Sequence, residues 1–90
     1  MPTVKFTYAL KRFFPALKDT PAKETVLIRV IDEIENIYPG LSSYILDDQG
    51  RLRQHVNIFI DGNKISDRVS LNQALSENSE VFIMQALSGG

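Results

Sequence analysis

The chain has no cysteine and no tryptophan, and its only histidine is His55. The missing thiol excludes a disulfide framework, a cysteine-held iron–sulfur cluster and a cysteine nucleophile. Any sulfur chemistry must therefore use sulfur brought from outside. One histidine cannot build a metal site alone, and His55 reads as a strand-edge residue with no catalytic role. No apolar run approaches the ~20 residues of a transmembrane helix. The N-terminal MPTVKFTY lacks the charged region and apolar stretch of a signal peptide, so a cytoplasmic location is expected. An excess of one charge is missing too. Ten Lys and Arg against eleven Asp and Glu leave a net charge of −1, which points to neither nucleic acid nor an anionic membrane. No Ser-His-Asp set, metal cluster or phosphate-binding glycine loop is legible, which argues against an independent enzyme. The neighbouring carboxylates Asp32-Glu33 and Asp47-Asp48 diverge and read as solubility groups, not as an acid/base pair.

What is present is an ordinary globular composition, 43% apolar and 23% charged over 90 residues. A single domain of this size buries a bit over roughly 60% of its unfolded surface and needs no staple. In TVKFTYAL, Val4, Phe6 and Tyr8 alternate with Thr3, Lys5 and Thr7, the period of a strand with one buried face. In KRFFPALKDTPAKE, Pro15 and Pro21 forbid a central strand across either position. That stretch reads as a turn near Lys11–Phe13 and then an irregular edge strand between the prolines. TVLIRVIDEIENIYPG carries the one strong helix pattern, with Leu27, Val30, Ile31, Ile34, Ile37 and Tyr38 at three- and four-residue spacing. Thr25 is placed to cap this helix and Pro39-Gly40 to end it. LSSYILDDQGRLRQ reads as a loop or short helical turn. HVNIFIDGNKI reads as a strand, a turn at Asp61-Gly62 and a short return. SDRVSLNQALSENSE reads as a loop with one short helical turn, anchored by Leu71 and Leu75, and VFIMQA as the last strand.

The expected class is α+β: a mixed sheet of about four or five strands with one main helix packed on one face, the β-grasp arrangement. By analogy with known folds, the first and last strands sit centrally and run parallel. Residues 1–86 make the domain, and 87–90 are expected to form a flexible tail.

Glycine is scarce. Of five, Gly40, Gly50 and Gly62 fall at expected turns. Gly89 and Gly90 follow the last strand with no turn to make. The bland reading is a frayed end. However, HVNIFIDG leading to ALSGG, with YPGL at Tyr38–Leu41 and LDDQGRLRQHVNIFIDG at Leu46–Gly62, resembles the ubiquitin-like sulfur-carrier family typified by MoaD and ThiS. The likeness covers nearly the whole chain, although Pro15 and Pro21 depart from the tidier second strand of that family. The resemblance implies that an E1-like adenylyltransferase uses ATP to adenylate the Gly90 carboxylate. A sulfur donor then displaces AMP and leaves a thiocarboxylate, which a sulfur-accepting synthase takes as its sulfide source. The chain is then a protein co-substrate, not an enzyme, with no bound cofactor. Leu87, Ser88 and Gly89 are the residues by which partners recognise the tail.

Glycine suits that role. Without a Cβ, the Gly90 carbonyl is open on both faces, and glycine reaches backbone angles closed to other residues. Fully extended, Leu87–Gly90 spans at most about 14 Å, enough to enter a buried site on another protein. Two other readings stay open. One is a ubiquitin-like modifier joined through Gly90 to a lysine of its target. The other is a β-grasp interaction module with no terminal chemistry.

Insertion of a tail needs a surface that holds the body in register. In the last strand Val81, Ile83 and Gln85 point one way, and Phe82, Met84 and Ala86 the other. In the hairpin strand Val56, Ile58 and Ile60 oppose Asn57, Phe59 and Asp61. With the branched set facing the helix, Phe59, Phe82 and Met84 fall on the outer face as a candidate docking patch. The plain alternative is that the Asp67–Glu80 loop covers them. Arg51, Arg53, Lys64 and Arg68 read as solvated surface charge.

Overall fold

Alternation shapes the first element. In strand β1 (Thr3–Phe6), Val4 and Phe6 are buried while Thr3 and Lys5 are half-buried. The computed structural model describes residues 1–85, and in it the strand stops at Phe6. Tyr8, expected to continue the buried face, instead opens a helical turn, α1 (Tyr8–Lys11), and is 80% exposed. Ala9 and Leu10 take the inward positions of that turn. The side-chain period has changed from two to 3.6, and Tyr8 is rotated outward.

The chain returns to β2 (Thr20–Pro21), which pairs antiparallel with β1. Pro21 is tolerated because β2 is a sheet edge. Thr20 is buried, and its hydroxyl donates to the Lys18 carbonyl at 2.7 Å. Its one proton is thereby used, so it accepts from the Tyr38 hydroxyl at 2.9 Å.

Helix α2 (Leu27–Ile37) sends Leu27, Val30, Ile31 and Ile34 into the core. Just past its end, Tyr38 meets Phe6 edge-on at 6.2 Å. Ile37 was expected on the same face but lies at the margin of the stripe and is exposed. The helix start also differs from expectation. Val26, not Thr25, is the cap residue, and it has extended backbone and no side-chain cap bond. The open amides are met by main chain instead: Leu27 N–H donates to the Gln73 carbonyl at 3.0 Å and Ile28 N–H to the Leu71 carbonyl at 2.8 Å. Thr25 contributes its carbonyl, which accepts from Leu75 N–H at 2.8 Å. The segment 66–79 therefore lacks the expected helical turn. It runs along the start of α2 and buries Leu71 and Leu75.

After Gly40 comes the short helix α3 (Leu41–Ile45), then β3 (Val56–Ile60), β4 (Asn63–Lys64) and β5 (Glu80–Gln85). Asp61 and Gly62 join β3 to β4 with φ of 52° and 84°, the left-handed pair that a two-residue hairpin turn requires. The sheet order is β2-β1-β5-β3-β4, with β1 and β5 parallel and the other neighbours antiparallel. This is the expected β-grasp: a five-stranded mixed sheet whose inner residues Val4, Phe6, Val56, Ile58, Val81 and Ile83 are sealed under α2.

Candidate functional site

Leu87, Ser88, Gly89 and Gly90, the tail residues singled out from the sequence, lie outside the described residues. What the structure defines is the ground they spring from. β5 is the middle strand, and its last residue, Gln85, pairs with Val56 of β3. On the other side, Thr7 N–H donates to the Ile83 carbonyl at 3.1 Å, and Gln85 N–H donates to Thr7 Oγ1 at 3.3 Å. The strand is thus held on both flanks up to Gln85.

Phe59, Phe82 and Met84 are brought together on the outer face. Phe59 and Phe82 are register partners with ring centroids 6.4 Å apart, and Met84 stands opposite Asn57. All three are half-buried. Phe82 faces Lys5 of β1, whose ammonium reaches Glu80 Oε1 at 2.9 Å. The hydrogen bond and the charge of Glu80 hold the Lys5 ammonium above its usual pKa. In the Asp67–Glu80 loop, the stretch from Leu71 to Leu75 bonds through its backbone to Thr25–Ile28 at the start of α2, while the Arg68 carbonyl accepts from Leu52 N–H at 2.9 Å. Arg68 of the same loop reaches the outer face, donating to Asn57 Oδ1 at 3.0 Å and to the carbonyls of Arg53 and Val56 at 2.6 and 2.8 Å.

The charged residues do more structural work than their sequence context suggests. Arg51 bonds Asp47, and Arg53 Nε donates to the Ser43 carbonyl at 2.9 Å. Lys64 stays exposed. Asp47 Oδ1 accepts from the backbone N–H of Gln49 and of Arg51, and the Glu33 carboxylate accepts from those of Lys23 and Glu24. Asp47 and Glu33 therefore brace turns and are not merely solubilising groups. The Arg51 backbone bond leads in holding the Asp47 carboxyl below the usual aspartate range. His55 is exposed in the turn entering β3. Among the described residues no group of three or more His, Asp or Glu is placed to hold a metal ion, and no helix is long and apolar enough to cross a membrane. Thr7 beside Gln85 escaped the sequence reading, which took it as one more alternating residue of the first strand; β1 ends at Phe6, and the Thr7 hydroxyl takes the Gln85 N–H in place of a strand carbonyl.

No protein-family model matches the chain. The sulfur carrier protein CysO of Mycobacterium tuberculosis is 28% identical over 90 residues, covering 98% of this chain and 97% of that protein. Its crystal structure matches with a TM-score of 0.82 at 26% identity, covering 97% of this chain and 100% of the other. The chain is homologous to the CysO sulfur carriers. Small archaeal modifier protein 3 of Haloferax volcanii is 24% identical, covering 88% of this chain and 95% of that protein. A chain of the Amycolatopsis orientalis BexX/CysO complex matches in fold, with a TM-score of 0.83 at 18% identity over 100% of both chains. The ubiquitin-like β-grasp thus joins this chain, the CysO carriers and the archaeal modifiers in one structural group.

Proposed function

We propose that the chain is a sulfur-carrier protein acting in the cytoplasm, with Gly90 as the reacting residue once it bears a free carboxylate. An E1-like enzyme uses ATP to form a Gly90 acyl-adenylate. The carbonyl carbon gains a bond to the donor sulfur, the bond to AMP breaks, and a thiocarboxylate results. On a sulfur-accepting synthase the sulfur bonds to the acceptor, water attacks the carbonyl carbon, the carbon–sulfur bond breaks and the Gly90 carboxylate is restored. The observation that carries this reading is the root of the tail: ALSGG follows a central strand that is tied on both flanks up to Gln85. Full-length homology to proteins named as sulfur carriers supports it. On this reading Leu87, Ser88 and Gly89 line the partner's channel, and Phe59, Phe82 and Met84 hold the body against the partner's surface.

Likeness to an archaeal modifier favours a second reading, conjugation of Gly90 to a lysine amine. Both routes start from the same adenylate. Intact-mass measurement of the protein from its native cell separates them. Replacement of one terminal oxygen by sulfur supports the carrier, and Gly90-linked conjugates support the modifier. Neither species, with full biological activity after deletion of Gly89 and Gly90, overturns both.

A further inference from the structure

The end of the molecule at which β5 stops carries a second set of residues with no part in the sheet-face patch. Three connections meet there. α1 follows Thr7, which binds Gln85. β3 begins at Val56, which pairs with Gln85. α3 reaches that same β3 start through Arg53 N–H, which donates to the Ile45 carbonyl at 2.9 Å. Tyr8 is 80% exposed and Phe13 56% exposed. Phe13 is not loose: its ring lies 5.1 Å from that of Tyr44, and Tyr44 meets Phe14 edge-on at 5.2 Å. Phe14 in turn packs against the core. Braced aromatic rings left facing water are features of recognition surfaces, where aromatic residues and arginine are enriched.

The segment that carries α1 is basic. From Thr7 to Lys18 the sequence holds Lys11, Arg12 and Lys18 and no Asp or Glu, although the whole chain has a net charge of −1. Among the described residues the ion pairs are Lys5–Glu80 and Arg51–Asp47, so Lys11 and Arg12 are unpaired there.

We infer that Tyr8, Lys11, Arg12, Phe13 and Tyr44 form a basic–aromatic collar at the root of the tail, which receives an acidic protein surface rimming the partner's tail channel. This rests on the carrier reading and adds a contact separate from the outer sheet face. A partner that takes in residues beyond Gln85 comes close to Gln85 itself, so the rim of its channel meets this end of the molecule. An acidic rim complements the unpaired cations, raises the encounter rate and fixes the orientation in which the tail enters. The remainder of the chain is net negative, which disfavours nucleic acid or an anionic membrane as the occupant.

The test is pyrophosphate exchange by the E1-like enzyme of the same cell, with the intact carrier as variable substrate over a range of salt concentrations. Two double variants are compared with wild type, Lys11→Glu with Arg12→Glu, and Tyr8→Ala with Phe13→Ala. Arg29→Glu, near the start of α2, is the control. The charge reversal is expected to raise KM for the carrier on the order of tenfold and to remove its salt dependence, with kcat retained. The aromatic truncation is expected to raise KM by a similar factor without changing the salt dependence. Thermal unfolding of each variant shows whether the fold is kept, and the two pairs fail independently if one does not fold. Activation of wild type with KM unmoved in both pairs overturns the collar alone. No activation of wild type removes the carrier reading and the collar with it. Single-stranded RNA binding that the charge reversal abolishes while KM stays unmoved assigns these cations to nucleic acid and also overturns the proposal.

Discussion

Glu35 shows how one partly exposed carboxylate fixes a joint. Its two oxygens accept the backbone N–H groups of Gly40 and Ser42, each at 2.8 Å, and so hold α3 to the end of α2. These bonds, that from Gly40 first, keep its carboxyl below the ordinary glutamate range. The unfolded carboxyl protonates near pH ~4.3 and the folded one only at lower pH. Its contribution is therefore full above the unfolded value and is lost as pH falls through the folded one. Glu35→Ala should cost about 1 kcal/mol at neutral pH, a figure kept small by exposure to solvent. It should also flatten the acid end of the stability curve. Urea titrations of both proteins from neutral to acid pH measure this, and parallel curves would remove Glu35 from the acid response. Gly40 itself has φ +95°, and a Cβ there would meet the Phe14 ring no closer than 3.8 Å. Space is not the obstacle. Gly40→Ala should cost about 1–2 kcal/mol through the left-handed backbone alone, and Gly40→Asn should recover part of it because asparagine tolerates that region. Equal urea midpoints for Ala and Asn would refute the backbone account.

At the scale of elements, the legible parts were those whose signal is local. The α2 stripe and the Asp61-Gly62 turn need only neighbours a few residues away, and both stand as the pattern indicates except for Ile37, which is exposed. The start of α2 was not legible, because its amides are met by carbonyls of Leu71 and Gln73, distant in sequence. A threonine before an apolar run looks like a cap whether or not some other main chain takes the place. The end of β1 failed for a related reason: alternation through Tyr8 cannot report that Ala9 and Leu10 will be claimed by the core as a helical turn. A sharp contrast follows for α2. Thr25→Ala should be nearly neutral, where a true cap would cost about 1 kcal/mol. Leu71 is fully buried at φ 53°, and Leu71→Ala should cost about 2–5 kcal/mol by opening a cavity. It should also speed hydrogen exchange at the Leu27 and Ile28 amides, which the loop carbonyls protect. Unchanged exchange at those two amides would show that the loop does not cap the helix.

At the scale of the whole molecule, the sheet order separates folding from chemistry. Val4, Phe6, Val56, Ile58, Val81 and Ile83 join the α2 residues in the core, while Phe59, Phe82 and Met84 share the opposite face. Alternation in the sequence was enough to sort those two sets. It was not enough to place the collar, which exists only because β1 and β5 run parallel and end side by side. On this architecture, loss of Gly89 and Gly90 should leave the unfolding midpoint unchanged, since the strand is tied up to Gln85 by Val56 and Thr7, while activation is abolished. Phe82→Asp should behave differently. Phe82 is half-buried against Phe59, so its loss should cost roughly 1 kcal/mol, and the new carboxylate would face Lys5 across the β1–β5 pair. The fold should survive and pyrophosphate exchange should need much more carrier. A folded Phe82→Asp protein with unaltered KM would show that the outer face does not dock the activating enzyme. A midpoint lowered by the two-glycine deletion would show that the tail supports the domain, and would then leave its loss of activation open to a purely structural cause.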